Sequence, residues 1–169
     1  RLLVLDSTAR TLTVEGRTYS FASELAPYIL LRPYRVVAGA LEFVGVINVS
    51  PIDIRFFSVD LTTGVLTAGA VHRSSTRRLV SFGSRFVVSP RTGRFYFATY
   101  PGSFGDAALI VSLDLAAPGP SMGERIELDQ NHALFEGTTL TGIEGSLELD
   151  PATGDLFYAP GDGRLLSLD

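Results

Sequence analysis

Three aspartates hold matched places in this chain: Asp53, Asp106 and Asp162 precede Asp60, Asp114 and Asp169 by 7, 8 and 7 residues. A carboxylate repeated once per structural unit can ring a channel mouth and hold a hard cation such as calcium through oxygen ligands. The same placement suits an Asx turn that opens a strand. Turn chemistry repeats with a fold whereas a single site does not, so the repetition favours the turn. The two histidines bring further groups: His72 comes with Arg73, Arg77 and Arg78, and His132 with Asn131, Glu136 and Glu144. A histidine beside a carboxylate can bind a divalent ion or serve as acid and base; the plainer reading is two histidines in surface loops. Glu144 has no equivalent at Gly83, so repetition does not account for it. Ser103 lacks the strand, elbow and helix that a serine nucleophile requires, and Gly161 and Gly163 precede a strand rather than the helix N-terminus of a phosphate loop.

The elements that position these residues are legible as a repeat. RLLVLD (1–6), RFFSVD (55–60), LIVSLD (109–114) and RLLSLD (164–169) are versions of one motif, and their closing aspartates Asp6, Asp60, Asp114 and Asp169 fall at intervals of 54, 54 and 55 residues. A second strand follows in three copies, TLTVEG (11–16), GVLTAG (64–69) and ERIELD (124–129). A related pair precedes the motif: FVVSPRTGRFYFA (86–98) aligns with LELDPATGDLFYA (147–159) around a Pro-x-Thr-Gly turn, and Ala-Gly-Ala takes that place in 34–48. Each unit therefore holds strands A (around 34–38, 85–89, 146–150), B (41–48, 94–100, 155–160), C (the motif) and D, joined by hairpins.

Four antiparallel strands per repeat predict an all-β fold, a β-propeller segment of about three blades with period 54–55, within a ring of 6–8 blades. The alternative is a β-sandwich, which has no reason to repeat its sequence. The predicted parts are strands C–D and a crossing in 1–33, a blade and crossing in 34–84, another in 85–145, and strands A–C of a fourth blade in 146–169. The A–B and C–D turns then share one face, and the B–C loops and D-to-A crossings share the other. The binding-face candidates all fall on the second face: His72, Arg73, Arg77, Arg78, Asn131, His132 and Glu136 on the crossings, within loops around 17–33, 70–84 and 129–145, and Asp53, Asp106 and Asp162 on the B–C loops. Asp150, Pro90, Thr92 and Thr153 fall on the first, as turn chemistry.

Two family resemblances attach to these residues. RFFSVDLTTGVLTAGAV (55–71) resembles the repeat of the seven-bladed lactonase family that includes 6-phosphogluconolactonase. EGSLELDPATGDLFYAPGDGRLLSLD (144–169) is similar to the opening of a blade in the gluconolactonase and senescence-marker family. Each covers one blade. The second implies that Glu144 is a divalent-metal ligand in a central channel, although Ser146 stands where that family has proline.

Composition excludes several classes. With 46% hydrophobic and 19% charged residues the chain is foldable, and a net charge of −4 supplies no basic field for nucleic acid. The longest apolar run, 36–49, is broken by Glu42 and Asn48 and is too short for a spanning helix, so no membrane span is predicted. No cysteine is present, which excludes disulfides and thiolate chemistry, and all 14 basic residues are arginine, which excludes lysine Schiff bases. The compartment stays open among cytoplasm, periplasm and secretion. Because the chain opens and closes on strand C, further blades of a longer chain are expected as partners. The expected function is a non-catalytic scaffold for a protein or small-molecule ligand on the loop face; the alternative is a metal-assisted lactonase using a divalent cation.

Overall fold

The computed structural model describes residues 3–49, 51–74, 78–79, 86–100, 108–117, 119, 121–129, 146–150, 152–159 and 164–168. Every regular element among them is a strand, and the fold is all-β. A first sheet holds β1 (Leu3–Asp6), β2 (Thr11–Val14) and β3 (Arg17–Ser20) in that order. The second is a four-stranded antiparallel meander of β4 (Leu30–Val37), β5 (Ala40–Val49), β6 (Ile52–Asp60) and β7 (Leu66–Ser74). In the third, β8 (Arg78–Leu79) and β9 (Phe86–Val88) both pair with β10 (Arg94–Tyr100), which continues to β11 (Ala108–Asp114) and β12 (Arg125–Asp129). A fourth sheet holds β13 (Ser146–Leu149), β14 (Leu156–Ala159) and β15 (Leu166–Leu168).

The stretch 17–33, expected as a loop, departs from that expectation. Glu15 (φ 48°) and Gly16 (φ 85°) form a two-residue turn with both φ positive, which folds β3 back along β2. β4 then starts at Leu30, and the segment between turns Phe21, Leu25 and Tyr28 into the core. These three apolar residues, spaced along the segment, anchor it to the sheet, while Ser23, Glu24 and Ile29 stay exposed.

The hairpin turns repeat one design. Gly64, Gly93 and Gly154, with φ of 74°, 68° and 80°, donate their amides to the carbonyls of Asp60, Ser89 and Asp150 at 2.8 Å each. A side chain at the head of each turn then accepts from amides inside it: Asp60 Oδ1 from Thr62 and Thr63, Ser89 Oγ from Arg91 and Thr92, Asp150 Oδ1 from Ala152. Asp6 and Asp114 do the same toward Thr8 and Ala9, and toward Ala116. The evenly spaced aspartates of the motif, wherever they are described, are Asx turns.

The sheets stack in chain order and enclose three cores. Leu12, Val14, Leu41, Phe43, Phe57 and Val59 close the first interface; Val44, Ile54, Phe56, Phe95, Phe97 and Val111 the second; Tyr96, Ala98, Ile110, Leu147, Leu156 and Tyr158 the third. A two-layer sandwich encloses one core between two sheets, so the sandwich alternative is not met. From the second sheet onward the register is constant. Leu41 and Phe43, Phe95 and Phe97, and Leu156 and Tyr158 occupy equivalent places, and each pair faces the sheet before it. The first sheet is reversed: Leu5 and Leu12 face forward onto Val59 and Leu66, which are their own counterparts. Its outer face carries Val4, Thr11, Thr13 and Thr18. The leading strands approach one another, with β4 against β9 and β9 against β13 within 8 Å between Cα atoms, and no comparable approach links β7 to β12 among the described residues.

Two predictions follow from the packing and the turns. A Cβ at Gly45 would meet the Tyr28 ring at 2.5 Å and Phe57 at 2.9 Å, so Gly45→Ala overpacks the first interface and costs about 1–3 kcal/mol in urea unfolding. A wild-type midpoint would disprove it. Hydrogen bonds from the Thr63 amide, the Thr63 hydroxyl and the Thr62 amide hold the Asp60 carboxyl below the ordinary aspartate range. A lowered value in the folded state means that the contribution is present above the unfolded aspartate value and is lost as pH falls through the folded one. The stability gap between wild type and Asp60→Asn therefore narrows in acid, and a gap constant from neutral to strongly acidic pH would refute the role.

Candidate functional site

Of the candidate residues, Asp53, His72 and Arg73 are described with their side chains, and Arg78 by its backbone. Arg77, Asp106, Asn131, His132, Glu136, Glu144 and Asp162 lie outside the described residues.

Asp53 and Arg73 come together because β6 and β7 pair them directly across the sheet. Arg73 Nε donates to Asp53 Oδ2 at 3.1 Å, with the arginine 65% exposed and the aspartate largely covered. Neither residue sits in a loop, which corrects the expectation for both. β6 begins at Ile52, so Asp53 is its second residue, and β7 runs on to Ser74. Arg55 shares this face two residues along β6, as the strand period requires. Asp53 Oδ1 and Arg55 Nε are buried and have no hydrogen-bond partner among the described residues. Two guanidinium groups and one carboxylate thus meet at the end of the second sheet that carries the B–C connection, with hydrogen-bonding capacity left over.

His72 belongs elsewhere. It is fully buried in β7, not in a crossing, and faces the third sheet. Its ring lies 5.9 Å from that of Phe97 in a tilted edge contact, and Nε2 stands 3.3 Å from Glu124 Oε2. Neighbours along a strand face opposite ways, so once strand D extends to Ser74, His72 and Arg73 cannot share a surface. The extension is set by pairing with β6, down to Ile52 opposite Ser74. Arg78 is likewise not in a loop: it lies in β8, paired with Tyr100. Arg55 and Glu124 carried no sequence signal of their own. Arg55 stood only as the first residue of the strand motif 55–60, and Asp53 as a loop residue ahead of it.

Among the described residues, no three histidine, cysteine, aspartate or glutamate side chains gather in a group that could hold a metal ion. No helix among them is long and apolar enough to cross a membrane. No protein-family model, curated protein or solved structure matches the chain.

Adjacent residues of β7 therefore have opposite expected behaviour. His72→Ala opens a cavity in the second interface and costs about 2–4 kcal/mol, whereas Arg73→Ala removes a solvent-screened pair and costs about 0–1 kcal/mol. Urea unfolding of both variants checks the contrast, and equal losses would contradict these placements.

Proposed function

We propose that this chain is a stretch of β-propeller that serves as a non-catalytic binding scaffold, with its ligand or protein partner engaged at the end of the second sheet that holds Asp53, Arg55 and Arg73. The architectural part rests on the constant register from sheet to sheet and on the approach of β4, β9 and β13 at one edge. Sheets that meet at their leading strands and separate toward their last strands are wedges, and wedges in series turn about an axis. Leu165 supports the same reading. It holds the place of Phe56 and Ile110, which are buried against the following sheet, yet it is 67% exposed. A further blade of a longer chain would cover it.

The observation that carries the binding role is the pair of unmatched groups, Asp53 Oδ1 and Arg55 Nε, beside the exposed Arg73 guanidinium. A buried polar group without a partner costs about 1–3 kcal/mol, which a bound ligand recovers by supplying the missing hydrogen bonds. The surplus guanidinium favours a partner that presents carboxylate or phosphate oxygens. Alanine substitution of Arg73, Arg77, His132 and Glu136 together is expected to abolish capture of partners that the wild-type protein retains in a pull-down. Unchanged capture would remove this end of the sheet from the binding role. Hydrolysis of a simple lactone by the purified protein, lost on Glu144→Gln, would overturn the non-catalytic reading in favour of a metal-assisted lactonase.

A further inference from the structure

The opposite end of the sheets, where the A–B and C–D hairpins turn, holds a different arrangement. In the third sheet a row of side chains closes on itself at this end. Arg94 Nε donates to Ser112 Oγ at 2.7 Å, Arg94 Nη2 donates to the carbonyls of Ser112 at 3.2 Å and Gly123 at 2.6 Å, and Ser112 Oγ donates to Glu127. Arg94 Nε and the Glu127 carboxylate stand 3.9 Å apart, with Arg94 partly buried and Ser112 fully buried. Glu127 owes its position to a β-bulge: it is the extra residue of β12 between the pairs Ile110–Leu128 and Val111–Ile126.

The second sheet has the same frame without the filling. Ala40 pairs with Asp60 as Arg94 pairs with Asp114, so alanine takes the place of the arginine. A bulge falls at the equivalent position, between the pairs Arg55–Val71 and Phe57–Ala68, and the residue matching Glu127 there is Gly69. Ser58 matches Ser112 and remains. Where the third sheet fills this frame with a guanidinium and a carboxylate, the second leaves an open cavity of about 290 Å³, with Leu115 also in its lining.

A second bulge arms this cavity. Between the pairs Pro33–Phe43 and Arg35–Glu42, Tyr34 is an extra residue of β4, so both Tyr34 and Arg35 oppose Glu42. Arg35 Nε donates to Glu42 at 2.5 Å. Burial and the neighbouring Glu42 carboxylate hold the Tyr34 hydroxyl well above its ordinary value, so it stays protonated. Arg35 and Glu42 cancel in charge, the other polar groups in the lining are the hydroxyls of Tyr34, Ser58 and Thr67, and Phe56 and Phe57 supply its aromatic part.

We infer that this cavity is a binding site for a neutral, polyhydroxylated small molecule the size of a monosaccharide, held by Glu42, Arg35, Ser58 and Thr67 beside Phe56 and Phe57. A lining that offers both donors and acceptors with no surplus charge selects against ions, and a ring with hydroxyl edges and an apolar face matches both the polar groups and the aromatic part of the lining. The site lies at the other end of the sheet from Asp53 and Arg73 and does not depend on the binding role proposed there.

Titration with a panel of neutral hexoses and myo-inositol, followed through the backbone amide resonances of Ser58, Thr67 and Gly69, is expected to give saturable shifts for at least one member. Ser58→Ala is expected to weaken that binding at least tenfold. The double variant Ala40→Arg with Gly69→Glu rebuilds the row of the third sheet, and is expected to abolish binding while keeping the wild-type melting temperature. Three results would each overturn the assignment: no saturable shift with any member of the panel, saturation by L-arginine or acetate in place of the polyols, or wild-type affinity in Ser58→Ala. If the double variant does not fold, the Ser58→Ala comparison decides alone.

Discussion

Phe95 is the side chain through which the second and third sheets recognise each other. Its ring meets Phe56 edge-on at 4.9 Å, Tyr34 at 5.2 Å and Phe86 in a stacked contact at 5.5 Å, and it has no exposed surface. Edge-to-face pairs of this kind contribute about 0.5–1.5 kcal/mol beyond the area they bury, and they fix an angle as well as a distance. The constraint reaches further than one ring. A strand covered on both faces is apolar on both, so β5, β10 and β11 carry near-continuous hydrophobic runs, and β6 does so at Phe56–Phe57 while it alternates from Ile52 to Arg55. Shifting any of them by one residue would exchange the two interfaces, and with Phe95 fixed against Phe56 that exchange is forbidden.

The two ends of the stack handle this constraint differently. The first sheet presents Leu3, Leu5, Leu12 and Val14 inward and Val4, Thr11, Thr13 and Thr18 outward, which is the alternation of a sheet with one solvated face. Its inward residues meet their own sequence counterparts on the second sheet, an arrangement closer to a two-fold pairing than to the one-way order of the remaining sheets. The same motif, RLLVLD against RFFSVD, thus serves two facings. Between them Leu2, Leu3, Val4 and Leu5 stand where the second copy has Phe56, Phe57, Ser58 and Val59, and the strand β3 is added. With β3 in place, Tyr19 packs its ring on Gly64, whose missing Cβ would stand 2.1 Å from it. The Tyr19 hydroxyl donates to the Thr62 carbonyl at 3.3 Å.

Much of this was legible in the sequence because much of it is local. An aspartate heading a four-residue turn with glycine at its end dictates its own hydrogen bonds, and Asp60, Ser89 and Asp150 head turns of the same shape wherever the pattern occurs. The phase of strands A to D follows from those turns. The length of a strand does not, because it is decided by the partner strand. That is why β7 runs past His72 and converts an expected loop ligand into a core residue against Phe97 and Glu124. Bulges are equally silent: nothing in LRPYRVV announces that Tyr34 and Arg35 will turn to the same carboxylate, since the pattern marks only which residues are apolar.

The bulges also explain how one repeat can be structural and its neighbour chemical without a change of fold. A bulged residue stands outside the pairing that fixes register, so its side chain can vary while the ladder on either side stays intact. In the third sheet that freedom is used to seal the hairpin end, with Glu127 and Arg94 closing on Ser112. In the second, glycine and alanine at the same two places expose the serine that the other sheet buries. The distinction between architecture and site therefore does not follow the two faces of the sheets, as the repeat suggested. It follows which copy of the repeat has kept the side chains that fill its own frame, and at the hairpin end of the second sheet that frame is left open beside Tyr34, Arg35 and Glu42.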